Sequence, residues 1–294
     1  LKSSLKFFRF NAPSLACFLS RAFLYNSLTL LIHYLVGDPS EMNHAVSQFQ
    51  QALAQKKALK VIAGIANHDV NHVLTVIEAA NQTDAQAIDV SAHQDVTTAA
   101  RQATSKMLFA SSIVVSELVE AVQKGVDAVE LGNFDALYAQ GVFISADEVL
   151  QLSQDLMAQL AGKTFVCVTI PGHLSTETQI YLAQKLENLG VNLIQTEGAI
   201  RQMASEPKTA DISAEAKFER TLANTQAIAS SVKVPVMTAT GVCSNNANQA
   251  QRVGASAVGI GSAVNKLASQ AEMVAEIQAT LNGLALSCKQ TVVA

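Results

Sequence analysis

The sequence predicts an α/β fold, a parallel (β/α)8 barrel of the TIM type, on three observations. Eight short apolar runs recur between residues 59 and 264, with intervals long enough for a helix between each pair. The runs are continuously apolar and rich in alanine and valine, as strands covered on both faces are. The last two, Val234–Val242 and Ala257–Val264, end in glycine-rich turns, where β/α barrels hold phosphate. A doubly wound open sheet is the alternative, and eight units without a break in strand order favour closure.

The elements follow in order. Residues 42–58 carry Val46, Phe49 and Leu53 at helical spacing, a leading helix for the barrel floor. The strands are expected at 59–65, 87–92, 108–113, 128–133, 164–170, 193–197, 234–242 and 257–264. Helices are expected at 70–81 behind Asp69, and at 94–103, 116–124, 176–189 and 246–253. Ser145-Ala-Asp-Glu148 is a capping box for the helix after strand four, and Asp211-Ile-Ser213 opens the helix after strand six. A further helix is expected to open near Asn265, and the last one covers 272–283. The interval between strands six and seven is the longest and reads as a lid, a binding loop or a plain insertion.

A chain of 294 residues accommodates one such barrel, which takes about 250. The net charge of −4 carries no nucleic-acid footprint. None of the four cysteines stands in CxxC spacing, and Cys167 falls inside a strand as a small hydrophobe, which points to a reducing compartment. Residues 1–41 differ from the rest: they hold Phe7, Phe8, Phe10, Phe18 and Phe23 and no acid before Asp38. The apolar stretch Ala22–Val36 falls short of the ~20 residues of a spanning helix. The first methionine is Met42. Three readings stay open for 1–41: a start assigned too far upstream, a targeting segment, or a structural arm. The barrel proper is expected over 59–283, with 284–294 as a tail.

In such a barrel the strand C-termini face the active site. Charged residues within strands are informative there, because an unpaired buried charge is costly. Asp89, Glu130 and Glu197 meet that test and are the candidate catalytic acids and bases, expected to converge if their faces point inward. Asn133, Thr169, Gln195 and Thr240 are candidates for orienting substrate. Gly241, Gly259, Gly261 and Ser262 are the candidate phosphate-binding residues, through backbone N–H groups and a helix start. Arg201 and Lys208 in the long loop would add positive charge. Lys60, Lys106, Lys163 and Lys233 stand at or before strand starts and are expected on the floor side, Lys60 in a floor salt bridge with an inward reach of its long side chain as the alternative; none stands late in strand six, which disfavours a Schiff-base aldolase with its lysine there. His68, His93 and His173 fall on catalytic-side loops, but no HxH or HExxH spacing supports a metal.

Four segments, Lys60-Val-Ile-Ala-Gly64, Val129-Glu-Leu-Gly-Asn-Phe-Asp135, Val168-Thr-Ile-Pro171 and Ile194-Gln-Thr-Glu-Gly198, together resemble the hypothetical chloroplast reading-frame family number twenty-three. The resemblance covers residues 43–283. It implies a barrel protein of cyanobacterial cytoplasm or plastid stroma and supplies no activity and no catalytic residues.

The leading expectation is an enzyme that binds a small phosphorylated molecule and performs isomerase or lyase acid/base chemistry. An FMN-binding oxidoreductase and a non-catalytic metabolite-binding barrel are the competing readings. Neither a nucleic acid partner nor a membrane span in the barrel is expected, and the sequence is silent on oligomeric state.

Overall fold

A computed structural model of the chain describes residues 39–138, 141–198 and 213–290. Helix α1 (Pro39–Ala54) comes first. The strands are β1 (Ala58–Gly64), β2 (Ala87–Ser91), β3 (Met107–Ser112), β4 (Ala128–Leu131), β5 (Phe165–Ile170), β6 (Leu193–Thr196), β7 (Val236–Thr238) and β8 (Ala257–Ile260). The other helices are α2 (Val70–Asn81), α3 (Gln94–Ala103), α4 (Val115–Gln123), α5 (Asp135–Tyr138), α6 (Ala146–Leu160), α7 (Thr176–Leu189), α8 (Ala214–Ala229), α9 (Ala247–Arg252), α10 (Ser262–Asn265) and α11 (Gln270–Gln290). Each strand pairs in parallel with the next, and β8 closes on β1 through Ala58↔Ala257 and Lys60↔Gly259. The chain is a closed parallel (β/α)8 barrel.

Local chemistry sets the helix starts. Asp69 accepts hydrogen bonds from the N–H groups of Asn71 and His72, and Ser145 and Glu148 form the reciprocal capping box. Ser213 caps α8 by accepting from Ala216 N; Asp211 lies outside the described residues. Such caps contribute about 1 kcal/mol each. Ser269 and Glu272 build a second reciprocal cap, which starts α11 earlier than its apolar spacing suggested. The helix expected to open near Asn265 instead ends there, because Gly261 turns the chain out of β8 directly into α10. Strand β7 is much shorter than its apolar run. Pro235, which has no N–H for a ladder, precedes it, and Thr240 and Gly241 leave the extended region at φ 73° and 78°.

Alternation along the strands sorts the barrel into two surfaces. Leu59, Val61, Ile88, Val90, Leu108, Val129, Val166, Val168 and Ile194 face outward into one core shared with the helices. Ala58, Ala87, Met107, Phe109, Ala128, Phe165, Cys167, Leu193, Met237 and Ala257 face inward. Helix α1 completes this inner core with Phe49, which meets Phe109 and Phe165 edge-on at centroid distances of 5.6 and 5.9 Å. Edge-to-face pairs of this kind add to the burial of the rings themselves. The interior is therefore apolar at the strand N-termini and closed there by Phe49.

Two glycines let elements approach closely. A Cβ on Gly132, after β4, would stand 2.2 Å from the Thr169 Cβ of β5. One on Gly198, after β6, would stand 2.0 Å from the Lys217 carbonyl oxygen of α8. Behind the sheet, the hydroxyls of Thr196, Thr225 and Thr238 tie β6, α8 and β7 at 2.7 and 2.9 Å.

Candidate active site

Above the apolar floor the same alternation turns polar. Lys60 on β1, Asp89 on β2, Glu130 on β4, Thr169 on β5 and Gln195 on β6 all point inward and are fully or almost fully buried. Lys60 was expected on the floor. It is the third residue of β1, however, and Ala58 fills the floor position two residues before it, so the lysine chain rises into the next interior layer. Its ammonium forms a salt bridge to Glu130 Oε2 and lies 3.5 Å from Asp89 Oδ2, with the Phe109 ring centroid 5.0 Å away.

Each carboxylate has further donors. Thr169 Oγ1 and Gln195 Nε2 donate to Glu130 Oε1 at 3.0 and 2.6 Å. Ser111 donates to Asp89 Oδ1 at 2.5 Å, and Asn133 Nδ2 stands 3.5 Å from Asp89 Oδ2. Gln195 Nε2 also reaches Asn133 Oδ1 at 2.9 Å. The network thus answers two acidic groups with one lysine. Burial pushes the Asp89 carboxyl up to about 6, with Glu130 adding to the rise and Lys60 and Ser111 opposing it. Burial pulls the Lys60 ammonium down, but Glu130 and Asp89 outweigh it and hold it protonated. Burial also drives the Cys167 thiol well above its ordinary range, so it is a thiol and not a thiolate.

The backbone is strained where β4 and β7 end. Asn133 at φ 63° and Thr240 at φ 73° occupy the left-handed region, which is unusual for asparagine and an outlier for a β-branched residue. Such strain concentrates at functional sites. At β4 it serves a visible purpose: the turn brings Asn133 N–H to Thr169 Oγ1 at 3.3 Å and the Asn133 side chain to Gln195.

Asp89 and Glu130 meet at Lys60, and Glu197, just beyond β6, is buried as well. Loop groups reach it: Tyr138 Oη donates to Glu197 Oε2 at 3.0 Å and Gly172 N–H at 3.3 Å. His173 Nδ1 lies 3.2 Å from the same Tyr138 hydroxyl, and Phe143 stacks on the tyrosine ring at 5.2 Å. Sequence spacing gave no signal for Tyr138, which reaches Glu197 across 59 residues. The three loop histidines do not gather: His68 and His93 stack on one another at 4.9 Å, whereas His173 packs against Tyr138 and Phe143. Among the described residues no group of three or more His, Cys, Asp or Glu is arranged to hold a metal.

Of the glycine-turn residues, Gly241 follows Thr240 beyond β7, and its carbonyl accepts from Asn246 Nδ2 at 2.9 Å. Gly261 and Ser262 form the turn into α10, and no side chain caps it. Gly259 is not in that turn. It lies within β8, level with Lys60 across the sheet. Arg201 and Lys208 lie outside the described residues. A cleft of about 550 Å³ opens at the opposite end, between α1, β5 and β7, but Lys56 and Lys233 are its only charged lining residues. No carboxylate lines that cleft.

A family model described as protein of unknown function (DUF561) matches residues 43–289. The chain belongs to this family. It is 37% identical to the uncharacterized protein ycf23 of Cyanophora paradoxa, over 79% of this chain and 93% of that protein. In fold, DUF561 as represented by this chain is similar to thiamine phosphate pyrophosphorylase from Pyrococcus furiosus, with a TM-score of 0.52 and 17% identity, covering 80% of this chain and 98% of that one. It is also similar to 3-hexulose-6-phosphate synthase from Salmonella typhimurium, with a TM-score of 0.55 and 12% identity, covering 78% and 99%. At these identities the likeness is one of fold. No helix among the described residues of this DUF561 member is long and apolar enough to cross a membrane.

Proposed function

We propose that the protein is an enzyme that binds a small phosphorylated metabolite and performs acid/base chemistry of the isomerase or carbon–carbon lyase type. The observation that carries this reading is the placement of Asp89 and Glu130 around one buried lysine inside the barrel. Asp89, with its carboxyl raised to about 6, gains and loses a proton near neutral pH, which suits a general acid/base. Glu130 is the second proton-moving group, and Lys60 positions both. Asn133, Thr169, Gln195 and Thr240 orient polar groups of the substrate. The phosphate rests on backbone N–H groups at Gly241, Gly261 and Ser262, with Gly259 keeping the wall of β8 free of a side chain below them. Glu197 serves a separate cluster with Tyr138 and His173 at the loops. The phosphorylated compounds in the names of the two similar enzymes support this reading by fold analogy only. The likeness to the ycf23 relative supports the plastid stroma or the cyanobacterial cytoplasm as the site of action.

Native mass spectrometry of the purified chain tests the ligand class first. A co-purifying sugar phosphate or other phosphate ester supports the reading, and a flavin mass moves it to an FMN-binding oxidoreductase. With the substrate in hand, Asp89→Asn and Glu130→Gln should each retain binding and lose turnover by about 100-fold or more. Unchanged turnover in both variants overturns the assigned roles, and binding without turnover in the wild type makes the barrel a metabolite-binding protein.

A further inference from the structure

Gln195 has an unmet hydrogen-bonding need. Its side chain is fully buried, and Oε1 has no partner. The orientation of the amide is fixed by its surroundings. Nε2 faces Glu130 Oε1 at 2.6 Å, Asn133 Oδ1 at 2.9 Å and Thr169 Oγ1 at 3.1 Å. Turning the amide over would set its oxygen against the Glu130 carboxylate, so the nitrogen belongs on that side and the oxygen on the other.

That other side is β8. Oε1 lies 3.8 Å from the point a Cβ on Gly259 would occupy, and the remaining neighbours of that point are the Ile62 Cδ1 methyl and the Ala239 Cβ. None of these side chains can donate a hydrogen bond. A buried acceptor left unmet costs about 1–3 kcal/mol, and structures tolerate few of them. The Ile62 methyl is the end of a movable side chain on the upper part of β1, so a rotation of Ile62 opens the space in front of Gly259.

We infer that the ligand supplies the missing donor: it is an open-chain polyol phosphate whose hydroxyl, at the end remote from the phosphate, donates to Gln195 Oε1. This rests on the phosphate reading above, with the anchor at Gly261 and Ser262. Gly261 stands two positions beyond Gly259, about 7 Å along the strand direction at ~3.3 Å per residue, and Ser262 opens α10 one residue later, which puts the anchor roughly 7–10 Å away. At about 1.25 Å of reach per extended bond, that separation is about six to eight bonds from phosphorus to the far hydroxyl; with the P–O, O–C and terminal C–O bonds counted, about four to six carbons fit. The interior also discriminates by charge. Asp89 and Glu130 already outnumber Lys60, so a second anionic group at the inner end is rejected and a neutral donor is accepted.

The test compares ligands of matched length by calorimetry on the full chain: erythritol 4-phosphate with butyl phosphate, xylitol 5-phosphate with pentyl phosphate, and sorbitol 6-phosphate with hexyl phosphate. At one length at least, the polyol ester should bind about tenfold or more tightly than its alkyl counterpart. In Gln195→Met that preference should fall below about threefold. In the wild type, the Gln195 side-chain carbonyl carbon resonance should move on adding the polyol ester and stay in place with the alkyl ester, a readout that does not depend on the variant folding. Equal binding within every pair, or a preference that survives in Gln195→Met, overturns the hydroxyl inference and leaves the phosphate site standing. No binding by any of the six esters overturns the phosphate reading, and this inference with it.

Discussion

Lys60 and Glu130 form an ion pair with both side chains at 0% exposure, joining residues 70 positions apart across the inside of the barrel. Taking two charges out of water costs several kcal/mol each, and the pair is tolerated because Thr169, Gln195 and Asp89 complete its hydrogen bonding and charge. Breaking it from either side should therefore be expensive. Lys60→Met and Glu130→Gln are each expected to lose about 3–5 kcal/mol in urea denaturation. Made together, they should lose about 2–3 kcal/mol less than the sum, the signature of direct coupling. Additive losses would show that the two groups do not sense each other.

Asp89 sets a pH dependence. Its carboxyl titrates near 6 in the folded chain and near 3.8 when unfolded, so the folded state binds the proton more tightly. Stability contributed at this site is present below about pH 4 and lost as pH rises through 6. Asp89→Asn should consequently gain stability relative to the wild type as pH goes from 4 to 7, by an amount on the order of 2 kcal/mol, and hold that gain constant above. Chemical denaturation at pH 4, 5, 6 and 7 reads the trend; a difference that does not vary with pH removes Asp89 as the titrating group.

Close backbone approach makes a third expectation. Gly198→Ala drives a methyl into the Lys217 carbonyl, and Gly132→Ala drives one into Thr169 at a backbone φ of 152°. Both should cost about 3 kcal/mol or more, a fall in melting temperature of roughly 6–12 °C. Gly162→Ala is the control: its φ is also positive, but nothing lies within 4 Å, and about 1 kcal/mol is expected from the backbone alone. Equal losses in all three would mean that packing at Gly132 and Gly198 is looser than the distances indicate.

At the floor, Phe49→Ala removes a fully buried ring that touches Phe109 and Phe165. About 3–5 kcal/mol of stability should go with it. Ligand affinity at the proposed site should stay within about twofold, since Phe49 packs among the apolar floor residues below the polar network. Calorimetry beside thermal melting separates the two effects.

The strands and most helices were legible because burial on both sides of a parallel sheet leaves continuous apolar runs, and because Asp69, Ser145 and Ser213 announce their caps. Asp89 and Glu130 stood out as charges inside such runs. Lys60 was misplaced for a physical reason: a lysine at the start of a strand ordinarily reaches solvent, and its partners lie 29 and 70 residues further along, where no local pattern reveals them. Alternation along β6 and just beyond it did bring Glu197 to the inner side, but alternation says nothing of loops. Tyr138 and the Gly172 N–H, both from connections between elements, bind it there, and no local pattern announces them. Gly259 and Gly261 looked equivalent in sequence, and only closure of β8 on β1 separates a glycine within the wall from one in a turn.

Phe49 stoppers the barrel at the strand starts, so a ligand of the proposed kind would come and go at the end where the loops follow the strands. Whatever enters must leave the way it came. On the proposed function, substrate and product would then contend for the same passage, so a spent molecule retained in the barrel should inhibit competitively, and departure through the loops is where turnover would be throttled.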